Sequence, residues 1–156
     1  MENIETLIQG SEKLTDIFGY WPDFHDAEIL EIHFWRGNVD PDQGRYDFPV
    51  FSISVHLWEM TTEAEPKGFL TRRHHTVSKL RFFDVDHFQM EGFNHQNAIL
   101  GLSIDRLERS EGPSPYFTVH MEPAHGIGAL FECMRIEVES ALACNEDGQL
   151  PVRRDG

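Results

Sequence analysis

With 156 residues, 40% of them hydrophobic and 12 of them Phe, the chain has the length of one ordinary domain and enough apolar material for a core without disulfide or metal staples. Thirteen Lys and Arg against 27 Asp and Glu leave a formal charge of −14 and a pI near 4.9, a surface that repels nucleic-acid phosphates and anionic membranes and attracts basic proteins. No run approaches the roughly 18 apolar residues of a membrane span, and the MENIETLIQGSEK start has no basic-then-apolar leader, so neither nucleic acid nor membrane is an expected partner and the expected compartment is the cytoplasm.

Residues 2–18 carry Ile4, Leu7, Ile8, Leu14 and Ile17 at roughly three-to-four spacing, which predicts a helix. Gly10-Ser11 is expected to divide it, with Ser11 capping the second piece, and Gly19 and Pro22 to end it. Half of the net charge lies in residues 1–31, where eight acids face one base, so Glu5, Glu12 and Asp16 mark a candidate interaction face.

From residue 27 the period becomes two. Leu30, Ile32 and Phe34 share one face of a strand over 28–36, and GNVDPDQGRYDFP after it reads as a loop. Phe51, Ile53, Val55 and Leu57 alternate with Ser52, Ser54, His56 and Trp58, the clearest half-buried strand in the chain. Weaker strands cover about 74–84, with a phase slip read as a bulge, and about 86–91. Alternation at Leu100–Asp105, Tyr116–Met121 and Met134–Glu139 gives three more, separated by SEGPSP and EPAHGIG.

Six to seven strands without intervening helices exclude parallel βαβ units. The expected fold is α+β: a mostly antiparallel, curved sheet or sandwich with the N-terminal helix packed on it. Residues 1–142 form the expected single domain and 143–156 a flexible C-terminal tail. The expected core holds Phe51, Ile53, Val55, Leu57, Leu100, Leu102, Ile104, Phe117, Val119 and Ile136.

Two segments concentrate chemistry. Phe18-Gly-Tyr-Trp-Pro-Asp-Phe-His-Asp-Ala-Glu-Ile places Trp21, Pro22, Phe24, His25, Asp26 and Glu28 between helix and strand. His25, Asp26 and Glu28 are metal ligands or an acid/base set in one reading; in the other, His25 and Asp26 bond the backbone and fix how the helix meets the sheet. In a strand, Asp26 and Glu28 share a face, giving at most two convergent carboxylates, with Asp84, Asp86 and His87 as possible further donors. The second segment, Met90-Glu-Gly-Phe-Asn-His-Gln-Asn, puts Asn94 and Asn97 either into a turn or onto a recognition surface.

His74 and His75 are strand neighbours and face opposite ways, whereas His33, His56 and His120 cluster only if their strands adjoin. Cys133 and Cys144 lack CxxC spacing, and no GxSxG, nucleophile set or phosphate loop appears. No cofactor, metal or catalytic residue is expected. Trp21, Trp35 and Trp58 are the aromatic anchors available to a protein partner.

The two segments, together with Leu80-Arg-Phe-Phe-Asp-Val and Phe131-Glu-Cys…Ile136-Glu-Val, resemble the Immunity protein 50 family of bacterial polymorphic-toxin systems over roughly residues 14–140. The resemblance implies a non-enzymatic protein that binds and neutralises a cognate toxin, and a basic toxin surface would suit the acidic chain. It assigns no binding residues. A small metal-dependent hydrolase using His25, Asp26 and Glu28, and a structural or regulatory domain, are the competing readings.

Overall fold

The computed structural model describes residues 3–107 and 116–152. Its first segment is a 3-10 turn, Ile4–Leu7, followed by helix α1, Glu12–Phe18. The break falls at Gly10, where φ is +73° and a Cβ would collide with the carbonyl of Val138. Ser11 occupies the N-cap position but is helical there and makes no side-chain cap, so its expected capping role is absent; Gly19 ends α1 in the left-handed conformation. Backbone bonds from Gln9 N–H to Ile136 O (2.9 Å) and from Val138 N–H to Gln9 O (2.7 Å) lay this segment along the sheet, burying Ile8, Leu14 and Phe18.

The strands are β1 (Glu28–Trp35), β2 (Val39–Asp40), β3 (Arg45–Tyr46), β4 (Val50–Ala64), β5 (Leu70–Phe83), β6 (Asp86–Glu91), β7 (Ile99–Arg106), β8 (Phe117–Pro123), β9 (Gly128–Cys133) and β10 (Arg135–Ala143). One four-stranded sheet has the order β1-β4-β5-β10 and the other β6-β9-β8-β7, with β2-β3 a small hairpin in the expected loop. Every pairing between strands is antiparallel. The architecture is therefore the expected one with a higher strand count.

The sheets are halves of one folded surface. β5 turns at Asp84 and Val85 into β6, and β9 turns at Met134 into β10, so the β5–β10 ladder continues as β6–β9 around a corner. Val85 N–H to Pro49 O and Met134 N–H to Phe83 O hold that bend. Between the sheets, the Phe131 ring of β9 sits 5.4 Å from Phe51 and 5.0 Å from Phe82, with Phe88 against both Phe51 and Phe131. These rings, edge-on except for the tilted Phe88–Phe131 pair, fill the core that the period-two pattern requires.

Nine of the ten expected core residues are buried. Leu100 is the exception: it is 43% exposed, and Ile99 is buried in its place. The register slips between Ile99 and Gly101, and one extra residue sends the next side chain to the other face. A slip between Ile29 and Glu31 likewise buries Ile29 and leaves Leu30 exposed, while Phe34, beyond the slip, is half exposed at the rim with its ring against Phe51 and Phe88. Of residues 143–156, expected as a tail, Ala143 ends β10 and Asn145 Oδ1 accepts from the amides of Asp147 and Gln149, while 153–156 lie outside the described residues.

Candidate functional site

The loop joining α1 to β1 is anchored by its apolar residues. Phe24 is buried against Trp21, their ring centroids 5.8 Å apart, and Pro22 is buried beside them. Phe24 (φ +61°) and Asp26 (φ +63°) both take the left-handed conformation, which costs an L-residue about 1–2 kcal/mol and turns His25 between them outward. The loop is tied down by the Asp26 amide to Ile99 O (2.9 Å) and by the His25 amide to Asp23 Oδ1 (2.9 Å). His25 Nδ1–H donates to Leu100 O at 2.8 Å, leaving Nε2 at 3.5 Å from Asp26 Oδ2. That carbonyl, then the Asp26 carboxylate, raise the His25 pKa above the ordinary histidine value.

Glu28 points elsewhere. Its Oε1 accepts the amide of Asn97 at 2.9 Å, tying the first motif to the second across 69 positions of sequence. Asn97 is 3% exposed; its Oδ1 accepts from Asn94 N–H (2.9 Å) and its Nδ2 donates to Asn94 O (2.6 Å). Asn94 in turn accepts from the Gln96 amide and donates to Gly92 O. Gly126, at φ +80°, closes the knot, for a Cβ there would stand 2.6 Å from Asn97 Oδ1. Glu28, Asn94 and Asn97 thus satisfy backbone groups in a turn.

Beside this knot, the Tyr20–Asp26 loop and residues 57–60 of β4 enclose an open cleft of about 330 Å³ floored by Phe18, Phe24 and Leu57. Tyr20 (53% exposed) and Met60 (47% exposed) stand at its mouth with Trp21, and Asp23, Asp26 and Glu59 supply its charge. Glu59 already holds Arg73 at 2.8 Å and has His74 at 4.0 Å. Trp21 and Trp58 both line the cleft, although the Trp58 ring is engaged by His56, His75 and the Arg72 guanidinium, 4.6 Å above it. The arrangement offers apolar and aromatic surface beside carboxylate hydrogen-bond acceptors at an open cleft.

A family model described as Immunity protein 50 matches residues 10–142, which take in α1, the cleft, both motifs and all ten strands except the last residue of β10. The chain belongs to the Immunity protein 50 family. No curated protein and no solved structure matches it.

The Immunity protein 50 match includes Glu12 and Asp16, both exposed on α1, whereas Glu5 in the 3-10 turn precedes it. Trp35 is exposed at the far end of β1, opposite Val50, and does not line the cleft. At the corner between the sheets His87 Nε2 lies 3.7 Å from both Asp86 Oδ2 and Glu132 Oε2, and neither Asp86 nor His87 lines the cleft. Among the described residues, no group of three or more His, Cys, Asp or Glu is arranged to hold a metal ion.

His74 and His75 do face opposite ways: His74 meets Phe18 edge-on, and His75 Nδ1 lies 3.0 Å from His56 Nε2. His33 on β1 and His120 on β8 belong to different sheets, so the condition for His33, His56 and His120 to cluster is not met. Burial lowers the pKa of both His56 and His75, with the neighbouring His75 and Arg72 charges adding to the effect on His56. Burial also pushes the Cys133 thiol up to about 12. The cleft residues missed by sequence reading are Tyr20, Asp23, Glu59 and Met60; adjacency of Tyr20 to Trp21 is the one local signal that pointed there.

Proposed function

We propose that this chain is an immunity protein that binds a cognate bacterial toxin in the cytoplasm and neutralises it by protein–protein contact, without catalysis. Membership of the Immunity protein 50 family carries this reading. The physical chemistry agrees with it. A charge of −14 favours a basic partner surface and speeds encounter with it. Asp16 is exposed on α1, two residues before Phe18 at the cleft floor, so the acidic helix and the cleft are neighbours.

The hydrolase reading needs His25, Asp26 and Glu28 to converge, whereas Glu28 turns its Oε1 to the Asn97 amide and does not line the cleft that His25 and Asp26 border. The test is co-expression. Cells producing the toxin encoded beside this chain's gene should survive when the chain is present, and an unrelated toxin should kill them regardless. Death of cells making both proteins in soluble form would overturn the proposal.

A further inference from the structure

Resting on that immunity reading, we propose that the cleft between the Tyr20–Asp26 loop and β4 receives an arginine side chain of the toxin, its guanidinium lying on the Tyr20 and Trp21 surfaces and paired by Asp26 and Asp23. The cleft sets two aromatic rings, Tyr20 and Trp21, beside Asp23 and Asp26; a second cavity joins exposed Phe69 to Glu65, Glu146 and Asp147, but there Arg72 already stands in the wall. Tyr20 and Met60 are large apolar side chains left open to solvent, while Phe24 and Leu57 beneath them are buried and fix the floor.

Charge complementarity selects a cation. Asp23, Asp26 and Glu59 border the cleft; Arg73, the permanent cation beside them among the described residues, is held by Glu59 on the β5 side, and the other neighbouring bases are the imidazoles of His25 and His74. Asp23 gives one oxygen to the His25 amide, and the partner of the Asp26 carboxylate among the described residues is the His25 imidazole, at 3.5 Å, so both carboxylates keep acceptor capacity for incoming N–H groups. The Tyr20 hydroxyl reports the same field: burial first, then Glu59 and Asp23, push its pKa upward.

Shape selects arginine over lysine. A guanidinium is planar, weakly hydrated and forked, so it stacks on a ring and meets carboxylates edge-on, whereas an ammonium is a strongly hydrated point charge. Among the described residues the protein seats arginines of its own on aromatic rings. Arg72 lies 4.6 Å over the Trp58 ring and Arg135 lies 3.7 Å over Phe83.

The test uses capped tetra-arginine and tetra-lysine peptides, titrated into the full chain while amide and indole resonances are followed by NMR. Tetra-arginine should shift the Trp21 indole and the Asp26 amide saturably, and bind about two- to fivefold tighter than tetra-lysine, the worth of one exposed cation–π contact. Asp26→Asn, which keeps a residue tolerant of the left-handed backbone, and Tyr20→Ser, at an exposed ring, should each weaken the arginine peptide and leave the rest of the spectrum unchanged. Equal binding of the two peptides, or shifts confined to the α1 acids with Trp21 unmoved, would overturn the proposal. Because no toxin enters this titration, its failure removes the arginine seat alone. Failure of the co-expression test removes the immunity reading while the titration still decides the chemistry of the cleft.

Discussion

Asn97→Ala cuts the side chain that joins the two motif segments. It removes two hydrogen bonds, the 2.9 Å bond accepted from Asn94 N–H and the 2.6 Å bond donated to Asn94 O, at a residue 3% exposed. At about 1 kcal/mol net for each bond, and more where a backbone group stays buried and unpaired, the loss is about 2–3 kcal/mol. For a domain of this size that lowers Tm by roughly 4–10 °C. Urea unfolding followed by tryptophan fluorescence should show the midpoint falling with the m-value unchanged. The backbone amide of Asn97 still reaches Glu28 in the variant, so toxin association measured well below the new Tm should be preserved. A loss under about 0.5 kcal/mol, within the range of an ordinary surface change, would refute the structural role. Weakened association at full stability would place Asn97 in the interface instead.

Three further outcomes follow from the same geometry. Cys133 is buried with its thiol held up to about 12, so alkylation of the native protein should spare it and unfolding should expose it; modification under native conditions would contradict its burial. His56 and His75 have lowered native pKa values, so the folded chain binds fewer protons than the unfolded one below about pH 6.5. Stability from this pair should fall as pH drops from there toward the lowered native values. His25, raised, works the other way, its contribution present below about pH 6.5 and lost as pH climbs through its native value. Urea midpoints at pH 7.5 and 5.5 should therefore converge in the His56→Gln, His75→Gln double variant, and an unchanged gap would rule the pair out as its source. Charge reversal of Glu5, Glu12 and Asp16 together should cut the on-rate for the toxin and flatten its salt dependence without altering the fold; an unchanged on-rate would move the steering surface elsewhere.

Much of the fold is legible in the sequence because one face of each long strand is apolar. The 51–57 alternation maps directly onto the buried side of β4. The misassigned residues lie at bulges, at Ile29–Glu31 and Ile99–Gly101, where one extra residue reverses the phase and no side chain signals the insertion. β9 escaped notice because Gly128-Ala-Leu-Phe-Glu-Cys follows a turn-rich run and places exposed Leu130 on the face opposite buried Ala129, Phe131 and Cys133, so that Glu132 alone marks the polar side. In the site, the motif loop stood out by composition, but its partnership with Asn97 depends on the pairing of β1 with the start of β7. The cleft needed β4 to bring Glu59 and Met60 opposite Tyr20, a long-range placement that local patterning does not encode.

The most direct measurement is isothermal titration calorimetry of the purified chain into the toxin encoded beside it, at physiological salt. Saturation at one chain per toxin, with faster association and tighter binding at low salt, is the expected result. Absence of binding between two folded proteins would contradict neutralisation by contact.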